Sequence, residues 1–246
     1  MTHVNKINKQ NGFTLIELLM SMSFVAVLLI SIAMLVIQIG NIYNRGLTIK
    51  DVNQAGRSLS SDLQASIAQS PQFSVVENTG GHYVIQKNTA GKVVGGRLCL
   101  GSYSYIWNDG IAFKTGGNPP NKYTAPDVSV AIRFVKAVDS NANYCTETSV
   151  GSGVYPAVAK SDTTELLNVG ELNLSVYNFS ITSNVIVSDD KTGQRLYNIS
   201  FLLGTDIKAI DDTTMGCRAP SDLVSDINYC SINQFNIVAH AGNLIE

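Results

Sequence analysis

The chain's periodicity predicts an α+β fold, with one long N-terminal helix packed on a mostly antiparallel β-sheet head. Three observations carry that prediction. No proline occurs before Pro71, and up to about Gln69 the apolar residues keep helical spacing. After Pro71 they alternate at every second position, as in half-buried strands. The same later region is rich in Ser, Thr, Asn and Gly in a chain with only 15% charged residues, a composition common in extracytoplasmic β-rich domains.

The helix begins as a membrane span. From Phe13 to Ile39 the only polar interruptions are Thr14, Glu17, Ser21, Ser23, Ser31 and Gln38. At 1.5 Å per residue the stretch reaches about 40 Å, more than a hydrocarbon core of about 30 Å requires. Residues 1–12 contain Lys6 and Lys9 and no acid, which places this end in the cytoplasm and the rest of the chain outside. An ordinary secretory signal fits less well, because the run is too long and Glu17 interrupts its start. Over 40–70, Val52, Ala55, Leu59, Leu63 and Ile67 form an apolar stripe, with Asp51, Arg57, Asp62 and Gln64 between them. The prediction is one helix from Phe13 to Gln69, about 85 Å long, with weak points at Gly40, Gly46 and Gly56.

Glu17 needs an explanation of its own. A carboxylate at the centre of a bilayer costs about 2.5 to 3.5 kcal/mol, so at the mouth of this run it requires a partner or a role. Thr14-Leu15-Ile16-Glu17 fits a capping box, in which Glu17 reaches back to a free backbone donor. Alternatively, Glu17 pairs with a cation brought by another chain.

The segment Asn11-Gly12-Phe13-Thr14-Leu15-Ile16-Glu17-Leu18-Leu19, followed by the apolar run, resembles the prepilin-type cleavage and methylation motif of the type IV pilin and pseudopilin superfamily. The likeness covers about thirty residues: leader, glycine, aromatic residue, glutamate and apolar run stand in the right order. It implies a leader at 1–12, cleavage between Gly12 and Phe13 by a prepilin peptidase, N-methylation of Phe13, and a charge pair between Glu17 and the amino terminus of a neighbouring subunit. It further implies a filament-core helix at 13–39, an extracytoplasmic head at 71–246, the pilin fold, and partners comprising other pilin subunits, an assembly platform and an ATPase. Many major pilins carry a proline partway along this helix, and its absence here points to a minor subunit. The size and the strand-rich head are similar to larger minor pilins and J-type pseudopilins.

In the head, Val128 to Val135 reads as a strand, as does Leu172 through Phe179 and Ile181 towards Val187. The turn residues 188–193 follow, and then a partner strand from Leu196 to Leu203. Shorter candidates are His82–Lys87, Val93–Leu100, Tyr103–Trp107 and Phe235–Ala239, with a loop at Gly116–Pro120.

Cys99, Cys145, Cys217 and Cys230 lie in the part placed outside the cytoplasm, so two disulfides are expected, with three connectivities open. No C-x-x-C occurs, which argues against zinc. Because many pilins staple a C-terminal loop, the favoured pairs are Cys217 with Cys230 and Cys99 with Cys145.

With a formal net charge of -2, neither a basic nucleic-acid surface nor a strongly acidic tail is evident, and no nucleic-acid partner is expected. Loss of Lys6 and Lys9 with the leader leaves 15 basic against 19 acidic residues, or -4. No cofactor or metal is expected. His82 and His240 are the only histidines outside the leader, and no nucleophile elbow accompanies them, so catalysis is not expected. Asp189, Asp190, Asp206, Asp211 and Asp212 supply oxygens for calcium, but without the spacing of a twelve-residue calcium loop. Tyr103, Tyr105 and Trp107 share one strand face and form either a stacking platform or part of the core. Asn173, Asn178 and Asn198 sit in N-x-S sequons that strand placement argues against using. The functional expectation is a structural filament subunit. The alternative is a membrane-anchored binding module, an adhesin or DNA-uptake receptor; a tethered enzyme ranks third.

Overall fold

A computed structural model describes residues 12–78, 81–114, 116–124, 130–167, 172–183, 195–211 and 213–242. The chain forms two compact units, Met1–Tyr43 and Asn44–Glu246.

Helix α1, Leu15–Ala68, runs through the three glycines without a break. Its first buried residue is Thr48, and the expected stripe is the buried one: Val52, Leu59, Leu63 and Ile67 are at most 1% exposed. Ala55 packs half-buried beside them.

The head contains two main antiparallel sheets. The first has the order β1 (Tyr83–Lys87), β2 (Val93–Cys99), β3 (Tyr103–Asn108), β4 (Phe134–Val138) and β5 (Thr163–Glu165). The second places β7 (Arg195–Gly204) between β6 (Ser175–Ser183) and β10 (Ile232–Ala241). A two-residue pair, β8 (Ile210–Asp211) with β9 (Gly216–Cys217), leads into the last disulfide. The apolar faces of both sheets meet α1 in one core. A row of rings crosses it, from Trp107 to Phe179 (centroids 4.4 Å apart), Phe179 to Phe201 (6.1 Å) and Phe201 to Phe235 (5.4 Å). The row ends on Gly56 of α1, where an added Cβ would lie 2.1 Å from the ring of Phe235. Gly56 is therefore the contact that lets β10 approach the helix, rather than a weak point.

Two predicted strands start later than expected. Val128 and Ser129 lie outside the described residues, and Ala131 bridges to Lys122, so the regular strand begins at Phe134 and continues to Val138. Leu172 and Leu174 precede β6, because Asn173 takes a left-handed φ of 46° and its carbonyl accepts from Arg133 at 2.8 Å. The turn at 188–193 also falls outside the described residues. His240 belongs to β10.

Unpaired strand edges invite association with other chains, and here parts of them are guarded. Asn78 covers the outer edge of β1: its N–H donates to the Tyr83 carbonyl and its Oδ1 accepts from Ile85, both at 2.9 Å. On β10, Gln64 donates to the Val238 carbonyl at 3.0 Å, and the Gln234 N–H turns onto Asn233 Oδ1 at 2.9 Å. On β6, the bulged Asn178 N–H is taken by Asp109 Oδ2 at 3.0 Å, and Tyr83 donates to the Phe179 carbonyl. β5 is only three residues long.

Candidate functional site

The candidate site is the start of α1 with the apolar run behind it. Gly12, Phe13 and Thr14 precede the helix, and Phe13 is 82% exposed, so the Gly12–Phe13 peptide lies in open, non-helical chain. The capping box is formed. Thr14 donates to Glu17 Oε2 through its backbone N–H at 3.2 Å and its hydroxyl at 3.1 Å, and the Glu17 N–H returns a bond to Thr14 Oγ1 at 3.4 Å. Both side-chain bonds use one oxygen, so Oε1 has no partner among the described residues and stays able to accept from a cation.

Behind Glu17 the large apolar side chains from Leu18 to Ile42 are all exposed. The hydroxyls among them are satisfied within the helix: Ser21 donates to the Leu18 carbonyl, Ser23 to Met20 and Ser31 to Val27, each at 2.9 Å. Back-bonded serines leave no free donor to be desolvated, which suits an apolar solvent. α1 is the one helix among the described residues long and apolar enough to cross a membrane.

Beyond Thr48 a polar clamp fixes the helix to the first sheet. Lys136 Nζ lies 3.0 Å from Asp62 Oδ1 and 2.8 Å from Ser66 Oγ, while the Tyr105 hydroxyl bonds Asp62 Oδ2 at 2.6 Å and Ser66 Oγ at 2.7 Å. Burial, and then its bond to Asp62, push the Tyr105 phenol well above its ordinary pKa, so it remains a donor. The ammonium of Lys136 also sits 4.6 Å from the Tyr103 ring centre.

The structure resolves the two readings of the aromatic strand in favour of the core. Tyr105 and Trp107 are fully buried and only Tyr103 is partly exposed, so there is no stacking platform. The disulfides join Cys99 to Cys145 and Cys217 to Cys230, the two favoured pairs. His82 Nδ1 lies 2.8 Å from the Cys99 carbonyl, and its ring leans on Phe73. Of the acids proposed for calcium, Asp189, Asp190 and Asp212 lie outside the described residues. Asp206 caps the Lys208 N–H, and Asp211 is held by Thr213 and Thr214, whose hydrogen bonds lower its pKa. No metal-binding group of three His, Cys, Asp or Glu is gathered among the described residues. The sequon residues Asn178 and Asn198 are exposed on strands, and Asn173 is half-buried.

Two buried ions have no counterpart in the sequence reading. Arg97 is 3% exposed and donates to Asn121 Oδ1 and to the carbonyls of Tyr144 and Pro156, each at 2.8 Å. Its burial lowers its pKa to about 10. Asp109, 1% exposed, accepts from the backbone N–H groups of Ile111 and Asn178, each at 3.0 Å, and burial raises its pKa to about 6. Arg97 holds the long loops over the first sheet, and Asp109 ties the first sheet to the second.

No family model matches the chain, and no curated protein or solved structure matches it.

Proposed function

We propose that this chain is a single-spanning, prepilin-type subunit whose mature form begins at Phe13 and serves as a non-catalytic, minor component of a type IV pilus or related pseudopilus. The observation that carries the reading is the uncovered apolar face of α1 behind Gly12, Phe13 and Glu17, with Glu17 Oε1 left open. Cleavage after Gly12 creates an α-amine on Phe13 with an ordinary pKa of about 8, cationic at neutral pH. Inside a bundle of such helices, an unpaired ammonium and an unpaired carboxylate are each costly, and a pair formed between chains relieves both and sets the register. The partly guarded strand edges favour the same route, since they work against strand addition as the means of joining the subunits. The head is held outside, and the chain waits in the cytoplasmic membrane until an assembly platform and its ATPase draw it into the filament.

Intact mass spectrometry of sheared surface filaments tests this. The expected species starts at N-methylated Phe13. A chain that keeps residues 1–12 and is found only in membranes overturns the proposal.

A further inference from the structure

We infer that Leu223 and Val224, at the tip of the Cys217–Cys230 loop, form with Leu47 and Tyr229 a foot that rests on the lipid interface while the chain is membrane-anchored. The inference relies on the anchor in the preceding reading, not on filament assembly.

The order of contacts along the head locates this loop. Thr48 donates to the Asn228 carbonyl at 3.3 Å, Asn233 to Asn53 at 2.6 Å, Gln64 to the Val238 carbonyl at 3.0 Å, and the Gly242 N–H to the Ser70 carbonyl at 3.0 Å. Residue numbers rise together on both sides, so β10 and α1 run in the same direction. The loop that precedes Asn228 therefore lies at the N-terminal end of the head-packed part of α1.

Chain length then ties that end to the membrane. Asn44 donates to the Tyr229 hydroxyl at 3.1 Å and follows Ile39, the last residue of the apolar run, by five residues. Even fully extended, five residues reach no more than about 17 Å, and as helix they rise only about 7.5 Å. The headgroup layer on each side of a bilayer is about 5 to 8 Å thick. The Tyr229 hydroxyl is thus held near the outer edge of the headgroups by a bond to the chain that has just left them.

The chemistry of the tip suits that depth. Leu223 is 105% and Val224 63% exposed, at the apex of a turn set by Val224 N–H to Asp222 Oδ1 and Ser225 Oγ to the Arg218 carbonyl. Leu47 is 40% exposed, and Tyr229, 48% exposed, presents an apolar ring with a polar tip, the residue type enriched at membrane interfaces. Arg218 and Asp222 pair at 3.1 Å, and Asp226 and Lys208, of opposite charge, line the same cleft. Contact with lipid is therefore apolar, with little dependence on salt.

The test uses the full chain in phosphatidylcholine vesicles, with and without brominated acyl chains. Trp107 is the only tryptophan and is fully buried, so an indole introduced by Leu223→Trp, or in a second variant by Val224→Trp, reports the loop. Leu28→Trp reports the anchor. The expected result is blue-shifted emission from the loop indole, with most of it quenched by brominated lipid at both low and high salt. Quenching at Leu28→Trp but at neither loop position overturns the foot and leaves the anchor standing; no quenching at any position overturns both. A loop indole that is blue-shifted yet unquenched is covered by protein, and this also overturns the inference.

Discussion

Alanine at Gly56 sets helix propensity against packing, and the two make opposite predictions. In an exposed helix interior, Gly to Ala gains about 1 kcal/mol. At Gly56 the new Cβ would lie 2.1, 2.3 and 2.6 Å from three carbons of the Phe235 ring, so the ring has to move by more than 1 Å. It has little freedom to do so, because it stacks on Phe201 at 5.4 Å and its backbone is paired within β10. Overpacking of this kind costs about 1 to 3 kcal/mol, and the severity of the overlap puts it at the upper end. The net expectation is a loss of about 1 to 2 kcal/mol, or about 2 to 8 °C in Tm for a head of this size. Gly46→Ala is the control, since nothing lies within 4 Å of its added Cβ, and it should keep the propensity gain. Thermal melts of both variants in detergent, followed by circular dichroism, decide the matter. If Gly56→Ala raises Tm as Gly46→Ala does, the account of the helix and β10 contact is wrong. Gly56→Ala combined with Phe235→Leu should recover part of the loss.

Other outcomes follow from the remaining polar contacts. Asp109 holds its proton more tightly folded than unfolded, so its contribution is fully present below the ordinary carboxylate value of 3.8 and is lost as pH rises through about 6. Between pH 4 and 7 the parent should lose about 2 kcal/mol relative to Asp109→Asn, measured by denaturant titration; parallel curves would refute this. Lys136→Met leaves Asp62 in a half-buried site with only the Tyr105 hydroxyl, and should cost about 1 to 3 kcal/mol, with partial recovery on adding Asp62→Leu. Replacing Cys217 and Cys230 by serine opens a closure of 13 residues and should cost about 3 kcal/mol at equilibrium unfolding. Glu17→Gln can still cap α1 through its amide oxygen but cannot neutralise an ammonium, so processing should continue while filament yield falls steeply; normal yields of sheared filaments would refute the pairing.

How much of this was legible in the sequence depends on whether the signal was local. The span, the stripe from Val52 to Ile67 and the strands from Leu196 onward follow from spacing alone. The bulge in β6 also left a trace. Apolar residues fall at even numbers through Val176 and then at Phe179 and Ile181, a change of parity that a regular strand cannot accommodate. In the fold, the register shifts between Tyr177 and Ser180, with Asn178 at a φ of 50°. What could not be read was pairing between distant residues. Asp62 looked like a solvated position on the polar side of an amphipathic helix, and Lys136 lies just past the strand read from Val128 to Val135. Nothing at either position announces a contact made 74 residues away. Arg97 is the extreme case: its acceptors are one side-chain oxygen and two backbone carbonyls, which carry no residue-type signature. Gly56 looked like a helix defect because the ring above it arrives from near the end of the chain.

The serines of the apolar run have a consequence beyond tolerating lipid. Since Ser21, Ser23 and Ser31 each bond to a carbonyl of their own helix, the stretch from Leu18 to Ile37 makes no polar demand on its surroundings. It can exchange fatty acyl neighbours for the flanks of other helices without any hydrogen bond being broken or made, so transfer between the two settings is opposed only by shape and by whatever Glu17 finds at the far side.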